Sequence, residues 1–293
     1  MRLRLRDTSL ALECGRPLIM GIVNATPDSF SDVPGEKELC DLAGRAQALV
    51  AAGAAIVDVG GESGRTDRTA VSEGEEIARV VPLIERLAAT GVPVSVDTWR
   101  AEPARAALGA GAAMVNDVSG LSDPLLAALC AEAGAGLVIT HTRLAPKTKG
   151  FPAYGDVVAD VLELLGRRCN AARERGVEVD QLVFDPGIDL AKTPAESIEL
   201  LRRLPELEAL ARPLLLAISR KDFVGALTGR APGERDAGSL AALEPALDLP
   251  AAIVRVHDVA GTADFLRVRA ALRGQAEAPA DALEERLRRE AVA

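Results

Sequence analysis

The chain has 293 residues, 48% of them hydrophobic but only 2% aromatic, which is ample length for one α/β barrel with an aliphatic core. Its formal charge of −9, with no basic cluster on a predicted helix face, argues against nucleic acid or anionic lipid as a partner and leaves a small-molecule ligand as the expectation. The four cysteines, Cys14, Cys40, Cys130 and Cys169, lack the close spacing of a zinc or redox motif and read as reduced, buried thiols.

The opening stretch MRLRLRDTSLALECGRPL alternates charged and apolar residues. It contains no apolar run long enough for a signal peptide or membrane helix, which predicts a cytoplasmic protein. Within residues 1–16, RLRLRD and LALEC read as a β-hairpin closing the bottom of the fold. Eight short apolar runs follow, at 17–23, 54–60, 92–97, 112–117, 136–140, 181–185, 214–219 and 251–256. Each is succeeded by an Ala/Leu/Arg/Glu stretch of helical period. Eight such units predict a closed (β/α)₈ TIM barrel, an α/β fold in a single domain over residues 1–293. Ser72 with Glu75, and Thr193 with Pro194 and Glu196, have the pattern of capping boxes at helix starts. Pro245 falls inside the seventh helical stretch, where it would remove a hydrogen bond and kink the helix. Residues 274–293 read as a charged tail or exterior helix.

In such a barrel the C-terminal strand ends line the active site, so the residues ending each run form one list. It comprises Asn24, Asp58, Glu62, Asp97, Asn116, Asp117, His141, Asp185, Ser219, Arg220, Lys221, Arg255, His257 and Asp258. Any one of these could be a cap or a satisfied buried group; their coincidence at eight strand ends points to a site. The only two histidines, His141 and His257, both fall there, yet without a paired spacing they favour hydrogen bonding over zinc. Asp97, Asn116 and Asp185 suit the edge of a flat, amidine-like heterocycle. Arg255, His257 and an Mg²⁺ ion on Asn24 suit phosphate oxygens. A heterocyclic phosphate ester is therefore the expected ligand.

IMGIVNATPDSFSD (19–32) resembles the signature after the first strand of the dihydropteroate synthase family. DVGGES (58–63), SVDT (95–98), NDVSG (116–120), FDPGI (184–188), SRK (219–221) and RVHDV (255–259) resemble the family's later strand-end blocks in order. The resemblance covers about residues 17–272. It implies condensation of 6-hydroxymethyl-7,8-dihydropterin pyrophosphate with p-aminobenzoate by a homodimeric enzyme. It further implies that Asp97, Asn116, Asp185 and Lys221 hold the pterin, and that Asn24, Arg255 and His257, with Mg²⁺, take the pyrophosphate. Two closing loops are implied, one with Thr26 and Asp32, the other over 63–71 with Arg65.

The sequence departs from the family on the acceptor side. Asp222 stands where members commonly carry serine at a helix start, in the pocket for the p-aminobenzoate carboxylate. Two like charges about 4 Å apart would oppose binding by roughly 4 kcal/mol at an effective dielectric of 20. An alternative is that Asp222 is a solvent-facing helix-start residue. Gly64, Thr66 and Asp67 replace Thr, Pro and Gly, and Asp189, Leu190 and Ala191 replace Gly, Phe and Gly, while Lys192 is kept. THTR (140–143) stands in place of a Met-His-Met pattern. Besides a synthase, the sequence is compatible with a paralogue using another acceptor, or with a noncatalytic pterin-binding protein. A pterin-dependent corrinoid methyltransferase leaves Arg255 and His257 unexplained.

Overall fold

The computed structural model of the chain describes residues 1–26, 35–64, 66, 68–278, 280 and 287. Strands β1 (Arg2–Arg4) and β2 (Ser9–Ala11) form an antiparallel hairpin. Eight further strands follow: β3 (Leu18–Asn24), β4 (Ile56–Gly60), β5 (Val94–Asp97), β6 (Met114–Asp117), β7 (Gly136–Thr140), β8 (Leu182–Asp185), β9 (Leu214–Leu216) and β10 (Ala252–Val256). They close in chain order into a parallel barrel, β10 pairing back onto β3. The barrel is the predicted (β/α)₈ fold. Only β9 is markedly shorter than its apolar run, which leaves the ladder ahead of a left-handed turn at Arg220 (φ 60°).

Strand alternation divides the core in two. Val57, Val59, Val94, Val96 and Val115 pack outward under the helices. Met20, Ile56, Met114, Val138, Val183, Leu215 and Ile253 fill the barrel interior together with Leu3, Leu5 and Leu12. The hairpin therefore plugs the barrel floor, as expected from its sequence, each buried leucine contributing about 1.5–3 kcal/mol.

The surrounding helices are α1 (Glu36–Ala51), α2 (Glu73–Ala88), α3 (Ala101–Gly109), α4 (Leu125–Ala133), α5 (Val157–Glu174), α6 (Pro194–Arg202), α7 (Asp222–Thr228), α8 (Asp236–Ala241) and α9 (Val259–Leu272). Thr193 and Glu196 form the complete capping box ahead of α6, Thr193 N–H donating to Glu196 Oε2 at 2.7 Å. Ahead of α2 only half a box exists: Ser72 Oγ accepts from Glu75 N–H at 3.2 Å, while the Glu75 carboxylate pairs with Arg79.

Two sequence expectations are corrected. Pro245 does not kink a helix, because it sits in the first turn of a 3₁₀ segment, Glu244–Asp248, where its absent N–H has no intrahelical acceptor. The cysteines are free, but only Cys130 is buried; Cys169 is half-buried and Cys14 and Cys40 are exposed. Most of the expected tail at 274–293 lies outside the described residues. Among the described residues no helix is long and apolar enough to cross a membrane.

Candidate active site

One step along six of the eight strands beyond the apolar floor, the next inward positions are Asp58, Ser95, Asn116, Thr140, Asp185 and Arg255, while β3 and the run after β9 place Ile22 and Ala217 there. The same alternation that packs the floor thus delivers a polar layer at the C-terminal mouth. At its centre the Arg255 guanidinium donates from Nε to Asp58 Oδ2 at 2.6 Å and from Nη2 to Asp97 Oδ2 at 2.7 Å. Asn116 Nδ2 donates to the same Asp58 oxygen at 3.1 Å. Asp58 is fully buried and Asn116 is 2% exposed.

Electrostatics follow from this enclosure. Burial raises the Asp97 carboxyl to about 7 against the opposing pull of Arg255, and the Asp58 charge adds to the rise. Burial also raises Asp185, opposed by the Gly187 N–H that donates to its Oδ1 at 2.7 Å and by the charges of Lys221, Lys192 and Arg255. Burial disfavours the Arg255 cation, but the Asp58 and Asp97 carboxylates outweigh it and hold the pKa above the ordinary arginine value.

The remaining candidates lie around this centre. Lys221 is the extended, half-buried residue at the start of α7, and its charge acts on Asp185. Asn24 ends β3 opposite Gly60 and is exposed, with its Oδ1 3.8 Å from where a Cβ on Gly60 would stand; Thr26 follows, half-buried. His257 lies exposed at the rim, its Nδ1 3.0 Å from Ser219 Oγ. Partial enclosure of the ring, with the charges of Arg220 and Arg255, pushes its pKa down to about 4, so the imidazole is neutral at pH 7. Asp32, Arg65 and Asp67 lie outside the described residues.

Two of the three charges of SRKDF have ion-pair partners of their own. Arg220 grips Asp236 with two hydrogen bonds, 2.7 and 3.0 Å, and holds α8 in place. Lys221 is half-buried, and its charge acts on Asp185. Asp222 takes the solvent-facing alternative: its side chain is 88% exposed and accepts from Arg235 Nη1 at 3.0 Å, which pairs its carboxylate at the rim. The same Arg235 nitrogen donates to the Arg220 and Lys221 carbonyls, which fixes the guanidinium on that side of the turn. Asp117 and Asp258 are caps, accepting from backbone N–H groups of Ser119 and Leu121 and of Gly261.

His141 has both ring nitrogens engaged in hydrogen bonds. Fully buried, it lies between Asp160, 2.8 Å from Nε2, and Lys192, whose Nζ is 2.8 Å from Nδ1. Burial and the Lys192 charge lower its pKa to about 4, so it is neutral, accepting from Lys192 and donating to Asp160. Lys192, itself 1% exposed and lowered by burial to about 7, also donates to the carbonyls of Gly187 and Leu190 at 2.9 and 3.2 Å. It thereby ties down the turn that follows Asp185. Gly187 is required there: its φ is 70°, and a Cβ would come within 2.0 Å of the His141 carbonyl oxygen. Asp189, one of the departures, is built into the same turn. Its Oδ2 accepts from Phe223 N–H of α7 at 3.1 Å, and its Oδ1 accepts from Ser197 Oγ of α6 at 2.9 Å.

The residue that the sequence undervalued is Asp58. It stood among the polar strand ends, but the list could not show that two other candidates converge on its carboxylate. Besides opening the DVGGES block, its sequence signal is its position two residues after Ile56, on the inward side of an otherwise apolar strand.

Buried acceptors around an oriented guanidinium, at the mouth of a parallel barrel, define an enzyme-like site for a small ligand rich in N–H donors and negative charge. The model of the pterin binding enzyme family matches residues 20–257, and the chain belongs to that family, within its dihydropteroate synthase branch. A dihydropteroate synthase of Synechocystis sp. is 42% identical over 261 residues, covering 88% of this chain and 90% of that protein. The Xanthomonas albilineans dihydropteroate synthase with 4-aminobenzoic acid superposes with a TM-score of 0.84 at 41% identity, covering 95% of this chain and all of that one. The Burkholderia cenocepacia dihydropteroate synthase complexed with 7,8-dihydropteroate gives 0.84 at 39% identity, covering 94% and 97%.

Proposed function

We infer that the chain is a dihydropteroate synthase, a transferase that joins 6-hydroxymethyl-7,8-dihydropterin pyrophosphate to p-aminobenzoate in folate synthesis. The observation that carries this reading is the network in which Arg255 donates to Asp58 and Asp97 while Asn116 donates to Asp58, in a chain of this family. Asp97, Asn116 and Asp185 supply acceptors for the N–H edge of the pterin, and Lys221 opposes Asp185. In the reaction the C–O bond to pyrophosphate breaks, its electron pair leaving with the pyrophosphate. The amine nitrogen of the acceptor forms the new C–N bond and gives up a proton to solvent. Carboxylates around the ring stabilise positive charge developing on the methylene, while Arg255, Asn24 and His257 border the leaving group. One well-aimed group of this kind is typically worth roughly 2.7–4 kcal/mol in the transition state.

Asn24 fits an Mg²⁺ site of the kind completed by substrate. Its amide oxygen is a hard donor on an exposed strand end, and among the described residues no group of three carboxylates, histidines or cysteines competes for a metal. Bound there, Mg²⁺ would neutralise charge on the departing pyrophosphate.

The reading extends to a homodimer. Helix α9 exposes Val268 and Leu272, 60% and 82% accessible, beside an open apolar cleft that Leu240 and Phe265 help line.

The test is pyrophosphate release from the pterin substrate with Mg²⁺, with and without p-aminobenzoate, and the pterin product identified by mass. Release that requires p-aminobenzoate and yields dihydropteroate is expected. Release without condensation would favour a different acceptor, and binding without release a noncatalytic protein.

A further inference from the structure

We propose that Asp58 is a positioning residue that sets the direction in which Asn116 and Arg255 face the substrate. Through them it gives the pocket its preference for a heterocycle edge rich in N–H donors. This rests on reading the pocket as a dihydropterin site and adds to it the residue that determines its hydrogen-bond polarity.

An asparagine amide is asymmetric, with donors on one side and an acceptor on the other. Asn116 donates from Nδ2 to Asp58 Oδ2, so its Oδ1 must face away from Asp58. That oxygen is buried and has no hydrogen-bond partner among the described residues. A buried acceptor left open is costly unless a ligand or water completes it. Asp58, an acceptor on both oxygens when ionised, therefore forces Asn116 to present an acceptor too. With an apolar side chain at position 58, nothing would prevent Asn116 from turning its NH₂ group inward.

The same Asp58 oxygen receives Arg255 Nε. The guanidinium is planar, so anchoring Nε to Asp58 and Nη2 to Asp97 fixes its plane as well as its place. One fully buried carboxylate thus orients a candidate ring-binding group and a candidate leaving-group cation at once. Three further buried oxygens of this polar layer are also without partners among the described residues: Asp58 Oδ1, Ser95 Oγ and Thr140 Oγ1. Asp58 and Ser95 are register neighbours across β4 and β5. The two hydroxyls can donate or accept, but Asn116 Oδ1 and an ionised Asp58 Oδ1 can only accept, and a ligand that satisfies these two must bring donors.

The experiment uses the full chain and begins with wild-type binding and turnover of dihydropterin pyrophosphate. Asp58→Leu, which removes the shared oxygen, is expected to raise the KM and Kd for this substrate by about tenfold or more, with the p-aminobenzoate KM changing by less than about twofold and the melting temperature little altered. Asp58→Asn keeps a carbonyl oxygen where Asn116 and Arg255 converge, because Arg255 can only donate to it. It is expected to recover pterin binding by about threefold or more over Asp58→Leu. A pterin KM within about twofold of wild type in Asp58→Leu would overturn the positioning role. So would equal losses for both substrates accompanied by a large fall in melting temperature, since that marks a purely structural residue. No recovery in Asp58→Asn would overturn the control through the shared oxygen. Wild-type protein that neither binds nor turns over the pterin would instead remove the reading beneath the proposal, and the proposal with it.

Discussion

Asp222 shows how much a carboxylate's effect depends on the direction it faces. Placed against an acceptor carboxylate it would repel; paired with Arg235 and exposed, it presents little net charge to the pocket. Asp222→Ser is therefore expected to leave kcat/KM for p-aminobenzoate within about twofold of wild type, measured by steady-state kinetics at fixed pterin pyrophosphate. A larger improvement would show that the carboxylate does repel the acceptor. Asp97 behaves in the opposite way, since its environment is enclosed and its pKa is raised to about 7. Its ionised form is the acceptor that the pterin requires. The kcat/KM for the pterin substrate should accordingly fall as pH drops through about 7, because protonation removes that acceptor. In Asp97→Asn this limb should vanish, leaving a low, flat profile. A limb unchanged in the variant would assign the titration elsewhere.

At the scale of an element, the turn after β8 is held by its own buried chain of groups, Lys192, His141 and Asp160. Lys192 has its pKa lowered from the ordinary 10.5 to about 7, chiefly by burial. Between these values the unfolded chain retains a proton that the native protein has released. Native stability must then rise with pH across this window and level off above it. Lys192→Met should flatten that rise, which amounts to a few kcal/mol at most, as measured by urea unfolding between about pH 7 and 10. An equal slope in both proteins would show that Lys192 does not titrate there. The sequence marked Lys192 as a residue kept from the family pattern, but not this role. Its partners come from β7 and α5, about 50 and 30 residues away, and only the barrel brings them together.

The whole molecule sets two further features, the barrel closure and the apolar face of α9. A face with Leu272 82% accessible is expected to be covered by a second copy of the chain. Sedimentation velocity should show a dimer for the wild type and a monomer for a double Val268→Asp, Leu272→Asp variant, since paired buried charges would oppose association. A monomeric wild type at micromolar concentration would reject that assembly. Much of the architecture was legible beforehand for a simple reason. Strand alternation, helix periodicity and the Thr193 cap are local, each determined by residues within a few positions of one another. The sequence by itself therefore determined the eight βα units, the hairpin plug, the polar strand ends and, through ordered motifs, the family. Tertiary structure alone decided which strand ends act together. Asp117 and Asp258 turned inward on their own backbone as caps, Asp222 turned out to Arg235, and Asp58 drew Asn116 and Arg255 onto a single oxygen. The physical reason is that a side chain's partner depends on distance and direction in space, and barrel closure places residues 58, 116 and 255 within hydrogen-bond reach although the chain separates them widely.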